Sequence, residues 1–146
     1  LVYNVGKQTG SDHKLNFKLT EKIANRLRVP KSCQQVATLV SRHQDELSRA
    51  TTLNAKELLQ FIDSLDAKRR PDRLEKFFLA CKANVTSSEN DPDSFLTQTE
   101  LIRVLIKKIN DINWKTLLVD QNDTNREVFI TAKKLSIVSD HIAQHA

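Results

Sequence analysis

Asn54-Ala55-Lys56-Glu57-Leu58-Leu59-Gln60-Phe61-Ile62-Asp63-Ser64-Leu65 decides how the rest of the chain is read. Ala55, Leu58, Leu59, Ile62 and Leu65 recur with the 3.6-residue period and lie on one face of a helix. Asn54 is a favoured N-cap, and Glu57 three residues on completes a capping box. One face of this helix must therefore be covered by others, and the search for partners runs outward in both directions.

Immediately downstream stands Asp66-Ala67-Lys68-Arg69-Arg70-Pro71-Asp72-Arg73-Leu74-Glu75-Lys76-Phe77-Phe78-Leu79-Ala80-Cys81-Lys82-Ala83. Pro71 suits the first position of a helix, where its missing N–H costs nothing, and Leu74, Phe77, Phe78 and Cys81 supply a buried face. Val85 extends this helix. The run from Thr86 to Asp93 reads as a solvated loop, with Asp93 or Ser94 capping the next helix. That helix, to about Asn110, carries Leu101, Ile102, Leu105, Ile106 and Ile109 on one face. Trp114, Leu117 and Leu118 mark a shorter piece ending at Gln121-Asn122-Asp123. Thr124 with Glu127 offers a capping box for a last helix carrying Val128, Ile130, Leu135, Ile137 and Val138.

Upstream, a helical pattern from Phe17 to Arg28 ends at Val29-Pro30, because the residue before proline avoids the α region. Ser32 with Gln35 reads as the capping box of a helix whose stripe is Val36, Val40, His43 and Leu47. The only glycines are Gly6 and Gly10, and prolines occur only at Pro30, Pro71 and Pro92. Punctuation this sparse suits helices joined by short links better than sheets. The expectation is an all-α fold, a compact array of about six to seven helices with short connections. No internal repeat points to a solenoid.

Composition narrows function. At 146 residues with 39% hydrophobic content, the chain can bury a core of its own. The 23 Lys and Arg against 18 Asp and Glu give a net charge of +5, which favours a polyanionic partner. Cys33 and Cys81 lie too far apart in sequence for a zinc knuckle or a disulfide framework, and both are expected to be buried thiols. No run approaches the roughly 20 apolar residues that cross a bilayer, nor is there a signal-peptide pattern, so a cytoplasmic location without membrane contact is expected. A chain that opens on Leu1 and contains no methionine is expected to be a piece of a longer protein.

The segment from Leu65 to Ala83 resembles a stretch of the bacterial CCA-adding enzymes, the tRNA nucleotidyltransferases. Their pattern runs leucine-aspartate-alanine, an aromatic, two basics, proline, a polar residue and arginine, then an apolar helix ending in alanine-aspartate. Arg26-Leu27-Arg28-Val29-Pro30 is similar to the family's arginine-leucine-basic-valine-proline, so the likeness runs from Arg26 to Ala83. Beyond Asn84 only the pattern matches, with Phe95 where the family often has tyrosine and Lys133-Lys134-Leu135 near its arginine cluster. The resemblance implies a parent enzyme that adds cytidine and adenosine to tRNA 3′ ends from CTP and ATP with magnesium. It also implies two segments: residues 1–50 a degenerate HD-type helical segment, and 51–146 a helical tRNA-binding tail, packed as one unit.

The start of the chain departs from that family. Tyr3 and Asn4 stand where relatives have the histidine and aspartate of an HD metal site, and neither is an adequate substitute around a hard cation. Only scattered matches to a histidine-glycine-histidine-glutamate run fall near Gly10-Ser11-Asp12-His13. Gln44 and Ser48 replace two later histidines, with His43 one place off. His43 sits on its helix's apolar stripe and is read as a core or boundary histidine, His13 as a loop residue, and His141 and His145 as parts of a fraying terminus. The carboxylates that hold catalytic metals in the family's nucleotidyltransferase head have no counterpart. The acid pairs Asp63/Asp66 and Asp91/Asp93 are explained as a helix face and a capped loop. No catalytic residue and no metal site is expected, and the chain itself needs no cofactor.

That leaves the cations. Lys68, Arg69, Arg70, Arg73 and Lys76 straddle a helix junction, with Lys133 and Lys134 as further candidates and Lys107 and Lys108 of lower weight. They are read as contacts to the tRNA backbone, which would be sequence-indifferent. An arginine just past a helix end can instead bind free carbonyls or an aspartate such as Asp66. Trp114 and Tyr3 could stack on bases, but eight aromatics, most of them suited to helix cores, do not predict a stacking platform. The expected partners are tRNA and the amino-terminal head of the parent, with oligomers allowed. A metal-dependent HD phosphohydrolase and a purely structural helical module are the rival readings; an exposed apolar patch with a neutral 65–76 face would favour the second.

Overall fold

The computed structural model describes residues 13–86, 92–119 and 123–145. Within these the fold is all α. Helices α1 (His13–Arg26), α2 (Lys31–Ser48), α3 (Ala55–Leu65), α4 (Pro71–Thr86), α5 (Pro92–Asn110), α6 (Trp114–Leu117) and α7 (Asp123–His145) follow one another, with one 3₁₀ turn at Ala50–Thr52. No strand occurs among the described residues, and none of their helices is long and apolar enough to cross a membrane.

The expected faces become the core. Leu39, Val40 and Leu47 of α2, Leu58, Leu59, Ile62 and Leu65 of α3, Leu74, Phe77, Phe78 and Cys81 of α4, Ile102, Leu105 and Ile109 of α5, and Val138 of α7 form one buried cluster. Helix α2 packs on α1, α3, α4 and α5, while α7 packs on α3 and α5. Apolar contacts therefore run without a break across residue 50. Buried Gln98 on α5 donates to the Ser48 carbonyl at 2.5 Å and so satisfies an end group of α2. Arg103 grips Glu75 through two nitrogens, at 2.6 and 3.3 Å, with its guanidinium 5.0 Å from the Phe78 ring centroid. The hydrogen bond to that carboxylate raises the arginine pKa further.

The Asn54 capping box forms as read: its side chain accepts from the Glu57 N–H at 2.9 Å, and the Glu57 carboxylate accepts from the Asn54 N–H at 3.3 Å. The expected box at Ser32 does not form. Extended Pro30 (φ −52, ψ 138) is the N-cap of α2, so the helix opens at Lys31 and Ser32 is already inside it. Asp123 opens α7 and places Thr124 within the helix. Likewise α5 opens at Pro92, with Asp93 and Ser94 inside its first turn.

Helix α1 ends at Arg26, two residues before the expected Arg28, which takes a left-handed conformation (φ 51). Val29 N–H donates to Ala24 O at 3.0 Å and Arg28 N–H to Asn25 O at 3.2 Å, the paired bonds of a Schellman C-cap. His13 is not a loop residue but the first residue of α1. Cys33 is exposed, in the first turn of α2, and only Cys81 is buried. Val128, expected on the buried face of α7, is 71% exposed, whereas its neighbours Phe129 and Ile130 are partly buried. His141, expected to fray, is buried because α7 stays packed on α5 there, and its Nδ1 accepts from the Lys108 ammonium at 3.0 Å.

Replacing Asn54 by alanine removes an observed cap, so Asn54→Ala is expected to cost about 1 kcal/mol in urea unfolding. The same test on Ser32→Ala, where no cap exists, should move stability by less than about 0.5 kcal/mol.

Candidate functional site

The junction between α3 and α4 is a compact turn built on Asp66. With φ 50 and ψ 38 this residue is left-handed, a conformation that aspartate tolerates better than most side chains. Its carbonyl accepts from the N–H groups of Arg69 and Arg70 at 3.2 and 3.1 Å, and the Arg70 carbonyl then accepts the first N–H groups of α4. Arg73 clamps the turn from the far side. One Nη of its guanidinium donates to the Leu65 carbonyl at the end of α3, at 3.0 Å, and lies 3.8 Å from Asp66 Oδ2. The Arg73 side chain is only 20% exposed, and its Nε is buried with no partner among the described residues.

Seven cations singled out in the sequence thus separate by role. Arg73 caps α3. Arg70 is exposed and donates from Nη1 to Gln35 Oε1 of α2 at 2.9 Å. Lys134, on α7, pairs with Asp63 of α3 at 2.7 Å. Lys68, Arg69, Lys76 and Lys133 are exposed and have no side-chain partner among the described residues. Of the lower-weight pair, Lys107 is exposed and Lys108 is held by His141.

Lys68, Arg69 and Lys134 come together on a groove of about 440 Å³ where the α3–α4 turn meets α5, α6 and α7. Its walls are Ile62, Ala67, Ile106, Ile109, Asn110, Ile130 and Trp114, with Asp63 and Asp66 as its two acids. Both acids already face a cation, Lys134 and Arg73 respectively, which leaves the charges of Lys68 and Arg69 unmatched. The 65–76 face is therefore not neutral. Lys76 and Lys133 do not line this groove. Trp114, placed at the start of α6 by the Asn113 cap, was not assigned to any site from the sequence. Nothing in the spacing between residues 68 and 114 could have linked it to the basic turn.

In the segment read as a degenerate HD region, the described residues show no ligand geometry. Residues 1–12, with Tyr3, Asn4 and Gly10-Ser11-Asp12, lie outside the described residues, as does Asp91. His43 is buried, bonded through Nδ1 to Glu46 of its own helix and tilted against the Phe61 ring at 5.7 Å. Ser48 donates to the Asp45 carbonyl at 2.8 Å. Among the described residues no group of three or more His, Cys, Asp or Glu could hold a metal. Magnesium, which the resemblance implies for the parent, finds no fit among the described residues: Asp63 and Asp66, the two carboxylates on the groove, are each matched by a basic side chain.

Over 127 residues the chain is 29% identical to the multifunctional CCA protein of Pseudomonas fluorescens strain SBW25, covering 81% of this chain and 31% of that protein. It is 39% identical over 93 residues to the multifunctional CCA protein of Cupriavidus metallidurans, covering 58% and 22%. With that of Methylobacillus flagellatus the match is 24% over 144 residues, covering 91% and 35%. The chain is a relative of the multifunctional CCA proteins. It aligns with their carboxy-terminal part and spans roughly a third of their length or less. No protein-family model and no solved structure matches it.

The division of the cations predicts different responses to truncation. Arg73→Ala strips a charged donor from the Leu65 carbonyl and should cost about 1.5–3 kcal/mol in denaturant unfolding. Lys68→Ala and Arg69→Ala, which remove exposed side chains without partners, should each stay within about 0.5 kcal/mol of the parent sequence.

Proposed function

We propose that this chain is the tRNA-docking, carboxy-terminal part of a CCA tRNA nucleotidyltransferase and carries no chemistry of its own. The observation that carries this reading is the pair Lys68 and Arg69, left without carboxylate partners on a turn whose Asp66 already faces Arg73 and whose Arg70 is held by Gln35. Unmatched cations fixed on a scaffold are suited to phosphate oxygens, because releasing the counterions condensed on RNA favours association. Similarity to the carboxy-terminal part of the multifunctional CCA proteins supports tRNA as the polyanion.

In this reading the parent adds CCA to tRNA 3′ ends in the cytoplasm, using CTP, ATP and magnesium in an amino-terminal head. The described helices hold and orient the tRNA for that head. Lys76 and Lys133 extend the basic surface at its edges, whereas Arg70, Arg73 and Lys134 act mainly by holding α2, α3 and α7 in place. A purely structural module is disfavoured by the unmatched charge on the turn. An HD phosphohydrolase is disfavoured by the way His43 is used within its own helix and against Phe61.

Fluorescence anisotropy of labelled tRNA across a salt series tests the reading. Binding should weaken linearly in log Kd against log salt, and Lys68→Ala/Arg69→Ala should shallow that slope by about two, one per phosphate contact. Absence of binding at low salt, or a slope unchanged in the double variant, would remove the basic turn from the interface.

A further inference from the structure

We propose that the groove beside the α3–α4 turn takes one unpaired nucleotide of RNA, its base against Trp114 and its phosphate on Lys68 and Arg69. This rests on the tRNA-docking reading and adds to it a stacked base, where backbone contacts alone would need only the cations.

Three features of the groove define the ligand. Its volume of about 440 Å³ lies within the range that small molecules occupy. Its walls are largely apolar, with Ile106 and Ile130 lining it together with the partly buried Trp114, so a bare phosphate or a metal ion would leave them wet. Its rim carries two cations with no carboxylate to answer them, so an uncharged apolar ligand would leave those unmatched. A flat aromatic body joined to an anion satisfies all three, and a nucleotide is such a body. A base inside a duplex is stacked on its neighbours and cannot reach an indole in a groove, whereas an unpaired one can. Every base has a π face, so the site would not discriminate strongly among sequences.

The chain contains a single tryptophan, so indole emission, excited at the red edge beyond tyrosine absorption, reports on this groove. Adenosine monophosphate should quench that emission saturably, and the quench should weaken with salt. Inorganic phosphate at equal charge should leave it unchanged. Lys68→Ala/Arg69→Ala should raise the AMP concentration for half-quenching about tenfold, the scale of two exposed, solvent-screened charge contacts. A single-stranded oligonucleotide should quench at lower concentration than a blunt RNA duplex with no unpaired base. Trp114→Leu, checked by circular dichroism for retained helicity, should lose the preference for single strand over duplex in anisotropy, and Trp114→Phe should keep most of it.

Absence of quenching at millimolar AMP, or quenching insensitive to the double variant, would overturn the proposal. So would emission that changes with protein concentration alone, which would mean that a second copy covers the groove. The two readings fail separately: tRNA binding without AMP quenching removes the base site and leaves docking. Quenching without tRNA binding does the reverse.

Discussion

The hydrogen bond from Arg73 to the Leu65 carbonyl holds the molecule's most consequential turn. It joins the last carbonyl of α3 to the first turn of α4, and the left-handed Asp66 between them turns the chain from one helix to the next. Because α4 packs on α2 while α3 packs on α7, the angle set at this turn fixes which helices meet on either side. A looser connection would let α3 and α4 part without breaking either helix. The groove owes its shape to the same turn, since Ala67, Lys68 and Arg69 are the residues that the reversal pushes outward.

Around that turn, polar ties link the helices in pairs. Lys134 fastens α7 to α3, Arg103 fastens α5 to α4, Gln98 closes the end of α2, and a hydroxyl pair, Thr20 and Ser41 at 3.0 Å, joins α1 to α2. Most are exposed or half-exposed and individually weak. Their shared effect is register: each selects one rotation of its helix about an apolar stripe that alone would tolerate several. Two cations on the turn, Lys68 and Arg69, take no part in these ties and share the groove with Lys134.

Helix identity and the buried faces of α2 to α5 were legible because they depend on local period. Pro71 and the Asn54 box were legible because each has one favoured place in a helix. The failures cluster where a local signal has two meanings. Ser32 with Gln35 and Thr124 with Glu127 spell a capping box but also occur in helix interiors, and backbone geometry at Pro30 settles the first case. Cys33 and Val128 lie in the first two turns of their helices, where period says nothing about cover. At the candidate site, the seven basic residues were legible as charges but their division into clamps and free cations was not. Partners such as Asp63 for Lys134 or Gln35 for Arg70 lie 71 and 35 residues away. Trp114 joined the groove only through the packing of α5, α6 and α7.

Arg28 and Asp66 make left-handed turns that glycine would make with less strain, and the described residues contain no glycine at all. The unfolded chain is correspondingly stiffer, since each non-glycine residue has fewer backbone states to lose on folding. Strain of about 1 kcal/mol at each reversal is set against that smaller entropic loss. Both reversals thus depend on their flanking hydrogen bonds to hold a conformation the residue would otherwise leave. Helix order in this protein is therefore sensitive to two side-chain-bearing hinges, and a lineage could relax or sharpen the fold by changing those two positions while leaving the core untouched.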